Sequence, residues 1–136
     1  MVLKAQKAFT LMEIMVVAMI VSTLAVMALV SYTKTMNLAY VNDAVRQLTL
    51  IHGANQVYKI KRGEYWPNNG VPATVSDINT NLQLSLNNPQ FSFSCAGSDG
   101  ISWSCSMQYL SSPNFTVQVT QAPISSTNPQ CTANCP

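Results

Sequence analysis

Residues 9–32 have the sequence FTLMEIMVVAMIVSTLAVMALVSY, in which Glu13 is the only charged residue among 24. As an α-helix this stretch would be about 36 Å long, enough to cross a hydrocarbon core of about 30 Å. A carboxylate inside such a span costs about 2.5–3.5 kcal/mol, so it normally has a partner or a function. The sequence therefore predicts a membrane-spanning helix that carries a functional glutamate near its start.

The positive charges nearest to Glu13 lie outside the span, at Lys4 and Lys7. Cleavage of the chain before Phe9 would create an amino group one helical turn from Glu13. A carboxylate and an ammonium brought together at low dielectric offset the cost that each would carry alone. Pairing with such an amine would make the buried carboxylate tolerable.

The start of the chain combines a short basic leader, the small residue Ala8, the stretch FTLME at residues 9–13 and an unbroken apolar run. At these residues the chain resembles the type IV pilins and pseudopilins, the subunits of bacterial filaments, which usually have Gly where Ala8 stands. The resemblance implies cleavage between Ala8 and Phe9 by a prepilin peptidase that also N-methylates Phe9. It implies that Glu13 directs assembly by meeting the terminal amine of a neighbouring subunit.

The same resemblance implies the partners and the location. The partners are copies of the chain itself, the peptidase and methylase, and an inner-membrane platform with an assembly ATPase. The precursor would lie in the inner membrane with a cytoplasmic N-terminus, and the mature subunit in an extracellular filament. Adhesion, motility, DNA uptake and secretion all remain open as tasks of that filament.

Other interpretations of the N-terminus also remain open. A basic start and an apolar core are typical of a secretory signal peptide, here with cleavage after Ala28. The apolar run is too long for such a peptide, and Glu13 would be out of place in it. A passive anchor for a periplasmic binding module, a minor pilin and a secretion pseudopilin are the further alternatives.

Beyond Tyr32 apolar residues recur three and four apart, which indicates one face of an amphipathic helix. No Pro or Gly interrupts residues 14–52, and Gly63 follows a cluster of cations that suits a helix C-terminus. We predict one helix of about 50 residues, helical throughout. The apolar positions are Leu38, Val41, Val45, Leu48 and Ile51, and the cations are Lys59, Lys61 and Arg62.

Two residues and the basic cluster within this helix admit more than one explanation. Gly53 costs about 1 kcal/mol relative to Ala, so we expect a bend or a close approach there. His52 has no Cys or acid at ligand spacing, and a solvated helix residue is expected rather than a metal ligand. The cluster Lys59-Lys61-Arg62 could contact DNA phosphates, but its position at a helix end is the favoured explanation.

From Pro89 onward the apolar pattern changes to alternation, which predicts three antiparallel strands. A register with Cys95 opposite Cys105 places every inward residue of the first two strands in line, and their packed face should cover the helix near Leu48 and Ile51. In residues 68–89 we expect a loop with one short helix capped by Ser76 or Asp77. The tail from Ala122 lacks periodicity and is expected to be an irregular surface segment.

Four cysteines, Cys95, Cys105, Cys131 and Cys135, follow the span and none precedes it, which fits an oxidising compartment. Four cysteines allow three connectivities. The strand register favours Cys95 with Cys105, which leaves Cys131 to close a small loop with Cys135. A zinc site is the alternative, but the paired CxxC spacing is missing.

Composition argues against catalysis and against a strongly charged partner. The net charge is +2, but Lys4 and Lys7 belong to the leader, so five basic residues remain against five acidic ones. Few titratable groups lie outside the span, and no nucleophile elbow or phosphate loop occurs. We expect no enzyme activity, no cofactor and no metal.

These observations predict an α+β fold, in which a long N-terminal α-helix packs against a small antiparallel β-sheet, as in a pilin-like lollipop. The predicted segments are a leader at 1–8, a transmembrane and assembly half of the helix at 9–32, an amphipathic half at 33–62 and a globular α+β region at 63–136. The predicted function is that of a filament subunit.

Overall fold

The computed structural model of the chain describes residues 9–70, 73–112 and 114–135. Within these ranges the secondary structure is α+β, as predicted, with two helices followed by four strands. The elements are α1 (Leu11–Arg62), α2 (Val75–Leu82), β1 (Phe91–Ala96), β2 (Ser104–Tyr109), β3 (Thr116–Thr120) and β4 (Gln130–Ala133).

Helix α1 has 52 residues and no break, which confirms the prediction of a long helix without a disrupted stretch. It ends where the sequence places a glycine. Gly63 has a φ of +85°, and its N–H donates to the Lys59 carbonyl at 2.8 Å. Left-handed backbone of this kind costs Gly little, so the chain can leave the helix at this point.

The chain divides into two compact units, the first ending at Met36 and the second beginning at Asn37. We call the described part of the first unit, residues 9–36, the stem, and the second unit the folded unit. From Phe9 to Leu29 the large apolar side chains of the stem are exposed, and an 18-residue window of α1 has a mean hydropathy of 2.6 with none of it buried. By length and composition, this helix could cross a membrane.

Strands β1 to β4 form one antiparallel sheet in which sequential strands are neighbours. Their register is the predicted one, with Cys95 opposite Cys105, and it pairs Phe93 with Met107. The alternation of buried and exposed residues along β1 is complete, which explains why periodicity located this strand.

The prediction of three strands and an irregular tail was wrong in one respect, because the tail contains β4. This strand pairs with β3, with Cys131 opposite Val117 and Gln130 opposite Gln118. None of the four β4 residues is buried. Backbone hydrogen bonds rather than apolar burial therefore define β4, and such a strand leaves no alternating pattern in the sequence.

The sheet packs against one face of α1 within the folded unit. Ala44, Leu48 and Ile51 are completely buried there, as the helical spacing predicted for Leu48 and Ile51. Tyr40 stacks on Tyr109 with ring centroids 4.7 Å apart. Each fully buried side chain of this size contributes about 1.5–3 kcal/mol relative to its exposed state, so this face fixes the sheet on the helix.

The segment after α1 is held by a buried amide. The Asn55 side chain accepts a hydrogen bond from the Trp66 N–H at 2.9 Å and donates one to the Trp66 carbonyl. Because Asn55 is fully buried, both bonds are needed to offset its desolvation. The chain reversal after Gly63 is thereby tied to the interior of the folded unit.

The predicted short helix is present as α2, but its N-cap is Thr74 rather than Ser76 or Asp77. Asp77 acts from the third helical position instead, where its carboxylate accepts the Thr74 N–H at 2.9 Å and the Thr74 hydroxyl at 2.7 Å. Both hydrogen bonds lower the pKa of the Asp77 carboxyl, and the bond from the Thr74 N–H has the larger effect. The arrangement is a capping box, which satisfies donors that the helix leaves unpaired.

One expectation for the middle of α1 was wrong, and another is tested only in part. His52 is buried rather than solvated, with Nε2 lying 3.0 Å from the Ala122 carbonyl and its ring 5.6 Å from that of Trp103. Gly53 lies in unbroken helix, and a Cβ added there would meet nothing within 4 Å, so no close approach among the described residues explains it. A bend at Gly53 stays a prediction.

Candidate assembly site at the N-terminus of the stem

Helix α1 begins with a threonine cap. The Thr10 hydroxyl lies 3.3 Å from the Glu13 backbone nitrogen and accepts its N–H, and the Thr10 carbonyl accepts the same N–H at 3.1 Å and that of Ile14 at 3.3 Å. Thr and Glu three residues apart at a helix start form the capping-box pattern. The sequence contained this signal, which went unnoticed beside the charge of Glu13.

Only half of that capping box is formed. Among the residues that the structure describes, the Glu13 carboxylate accepts no hydrogen bond and has no cationic nitrogen within 4 Å. The side chain is exposed and stands in the first turn, where the helix dipole favours a negative charge. The local fold therefore positions Glu13 without neutralising it, and the carboxylate stays available to a group from outside the subunit.

Hydroxyl groups deeper in the stem are satisfied by its own backbone. Ser22 donates to the Met19 carbonyl at 2.9 Å, and Thr23 donates to the Ile20 carbonyl at 2.8 Å. These bonds let a hydroxyl enter an apolar medium without an unpaired donor. Glu13 differs from both, because its carboxylate lacks such an internal partner within residues 9–36.

The cleavage site lies at the edge of the described residues. Ala8 and the rest of the leader at 1–8 fall outside them, while Phe9 is described and 74% exposed. Phe9 and Thr10 precede the helix, which begins at Leu11. The bond before Phe9 is thus followed by non-helical backbone, but cleavage and methylation at this position stay predictions.

The four cysteines are far from this site in sequence and form two disulfides in the folded unit. Cys95 is bonded to Cys105 across the β1–β2 pair, and Cys131 is bonded to Cys135 at the end of β4. The first pair is buried, whereas Cys135 is exposed. Among the described residues, no group of three or more His, Cys, Asp or Glu side chains that could hold a metal ion is present.

The basic cluster at the end of α1 lies partly over aromatic rings. The Lys59 Nζ is 4.2 Å from the centroid of the Tyr65 ring, and the Arg62 guanidinium carbon is 5.9 Å from that of Tyr58. Such contacts hold cations on a surface at about 0.5–1 kcal/mol each. Contact of the cluster with nucleic acid stays a prediction that nothing in this geometry tests.

Comparison with known families identifies the N-terminal region. The family model described as the prokaryotic N-terminal methylation motif matches residues 3–29, about a fifth of the chain. The chain has a prepilin-type N-terminus. This match supports the predicted type IV pilin and pseudopilin family, and it implies processing by a prepilin peptidase and a membrane-anchored precursor. Searches of curated proteins and of solved structures find no match.

Proposed function

We propose that the mature chain is a structural subunit that polymerises through its N-terminal helix into an extracellular, type IV pilus-like filament. In this proposal a prepilin peptidase removes residues 1–8 and methylates Phe9. An inner-membrane platform and its ATPase then assemble the subunits, and Glu13 pairs with the Phe9 amine of a neighbour.

One observation carries the proposal: an apolar helix whose large side chains are exposed from Phe9 to Leu29 and whose only charge in this stretch, Glu13, stands in the first turn. Exposed apolar surface costs about 25 cal/mol per Å² in water, so the stem needs lipid before assembly and other stems after it. The carboxylate fixes how far neighbouring stems are shifted along one another. A stem that moves past its neighbours by one turn loses the pairing of Glu13 with the amine.

The first test is the variant Glu13→Gln, expressed in cells that lack the unchanged copy. The amide keeps the shape and a hydrogen bond but loses the charge attraction that selects the docked register. We expect normal amounts of membrane-bound protein and at least a tenfold loss of sheared extracellular fibre. The two pools are measured in the same culture.

Two further variants serve as controls. Glu13→Asp retains the charge and should retain part of the fibre yield, while Glu13→Val should insert at least as well as the unchanged chain and build few fibres. Full fibre yield from both Gln and Val variants would contradict an assembly role for Glu13. Mass analysis of the mature N-terminus is the independent check, because a terminus at Leu29 instead of methylated Phe9 would exclude a filament subunit.

A further inference from the structure

A groove of about 310 Å³ lies between the last turns of α1 and α2 in the folded unit. Val57 and Leu82 supply apolar surface to it, and its other walls carry Lys61, Arg62, Asn81 and Gln83. Val57 remains 49% exposed although it lines a concave surface. The groove thus combines an apolar base with two cations and two amides, which suits an acidic group that stands beside an apolar one.

The cations of the groove have no acidic partner among the described residues, although Arg62 lies over the Tyr58 ring. Among the residues that the structure describes, no carboxylate lies within 4 Å of Lys61 or Arg62. Both helices also end at this groove, and the carbonyl ends of helices disfavour anions. Two full positive charges exceed these partial negative ones, so the groove is a site for an anion rather than for a cation.

The opposite side of α1 carries the turn between β1 and β2, in which Asp99 and Ile101 are exposed. His52 and Lys61 are nine residues apart on α1, about two and a half turns, so they lie on opposite sides of the helix. Trp103, just after this turn, contacts His52. The turn and the groove therefore occupy two different sides of the folded unit.

The turn presents a carboxylate and an isoleucine on a fixed backbone. The Asp99 carboxylate accepts the Ser102 N–H at 2.8 Å and the Ile101 N–H at 3.0 Å. Ile101 is 73% exposed beside it. A second carboxylate is close, because a Cβ added to Gly100 would lie 3.1 Å from the Glu64 Oε2. We call Asp99 and Ile101 the acidic tip.

Charge is unevenly distributed between these two surfaces. Residues 63–136 contain Glu64, Asp77 and Asp99 but no Lys, Arg or His, whereas all five cations after the leader lie at residues 34–62. The acidic tip and the basic groove are therefore complementary in charge, and each adds an exposed apolar side chain. Complementary fields of this kind steer association and fix its register.

A filament with screw symmetry needs two different patches on each subunit, because a head-to-tail contact leaves one of each free for the next copy. We propose that the acidic tip of one copy docks into the groove between α1 and α2 of the next copy, with Asp99 facing Lys61 and Arg62 and Ile101 facing Val57. This inference rests on the proposed function and adds a second contact, one between folded units.

A photocrosslinking amino acid at Ile101 in the full-length chain tests the contact in sheared fibres. The expected product is a dimer in which position 101 is joined to residues 54–62 or 81–83 of another copy, as identified by mass spectrometry. The control is the same probe at Leu110, which is 58% exposed. Leu110 directly follows the last residue of β2, whereas Ile101 precedes the first, so the probe at Leu110 should give no such product. Crosslinks from position 101 to other segments, or none in fibres, would overturn the proposal.

A charge reversal tests the groove independently. Lys61→Glu should lower the ratio of sheared fibre to membrane-bound protein about tenfold, because it sets like charges against each other at every contact. Lys59→Glu is the matched control, since it changes the same charge in the same turn on the other side of α1. Equal losses from both variants would mean that the effect arises from the helix end and not from the groove.

The outcomes separate the two proposals. If the unchanged chain forms no fibre, the proposed function fails. If fibres form but neither the crosslink nor the Lys61 effect appears, only the docking contact fails. If Lys61→Glu instead abolishes retention of a labelled DNA duplex by intact fibres while fibre yield stays normal, the groove belongs to a nucleic acid and the second copy is excluded.

Discussion

Residues 14–27 and residues 44–55 lie on the same helix, but their side chains have different surroundings. In the first segment Ile14 is 56% exposed and Met27 is 72% exposed, whereas Leu48 and Ile51 in the second are completely buried. The backbone hydrogen bonds are equivalent, so helix formation does not distinguish them. One segment is covered by its own chain, and the other exposes an apolar surface that needs cover from outside the chain.

This difference has a practical consequence. Changes in the folded unit should alter its free energy of unfolding, whereas changes in the stem should alter only insertion and assembly. Both tryptophans, Trp66 and Trp103, lie in the folded unit and are buried there, so tryptophan fluorescence reports on that unit alone. The following three expectations test the separation with this signal on the full-length chain in detergent.

The largest effect is expected from Leu48→Ala. Leu48 is completely buried, and a cavity of this size in a core costs about 2–5 kcal/mol of the free energy of unfolding. Leu24→Ala removes the same atoms from a position that is 61% exposed in the stem, and it should leave the fluorescence transition unchanged. A similar loss from both variants would show that the two segments are energetically coupled.

Replacing either of two glycines by alanine should change the free energy of unfolding, with opposite signs at the two positions. A Cβ at Gly97 would lie 2.3 Å from the Pro67 carbonyl oxygen and 2.9 Å from that of Ser102, so Gly97→Ala should destabilise the folded unit by about 1–3 kcal/mol. Gly53→Ala meets nothing within 4 Å and should stabilise it by about 1 kcal/mol through helix propensity. Chemical denaturation measures both. Destabilisation by Gly53→Ala would contradict the open space around position 53.

The smallest expected effect is on the loss of stability at acidic pH. Hydrogen bonds from the Ser102 and Ile101 N–H groups lower the pKa of the Asp99 carboxyl, as those from Thr74 do for Asp77. A group whose pKa is lower in the folded state adds stability above its unfolded pKa of about 3.9, and that stability is lost as the pH falls through the folded pKa. The test is to measure the midpoint temperature of thermal unfolding between pH 7 and pH 2.5. Below pH 4 this temperature should fall less steeply in the Asp77→Asn, Asp99→Asn double variant than in the unchanged chain. Equal declines would contradict this assignment.

Features set by local chemistry were accessible from the sequence. The helix followed from apolar spacing and the absence of breakers, and the register of β1 and β2 followed from their alternation and from the positions of Cys95 and Cys105. Glu13 stood out because a charge in an apolar span is rare. The helix end at Gly63 followed from the special conformation that glycine allows.

Features that depend on distant parts of the chain were not accessible. His52 is buried because Ala122 and Trp103 reach it from far along the sequence, and nothing near position 52 indicates this. Strand β4 forms on backbone pairing with β3, without an apolar pattern of its own. The groove between α1 and α2 depends on where α2 packs, which local spacing does not specify.

The absence of cations from residues 63–136 has a consequence for proteolysis. Trypsin cleaves after lysine and arginine, so the last such sites in the chain are Lys59, Lys61 and Arg62, all exposed in the final turn of α1. Digestion with trypsin would therefore release residues 63–136 as a single fragment that contains both disulfides. A subunit displayed outside the cell would thus offer trypsin-like proteases no target within its sheet, even during moments of local unfolding.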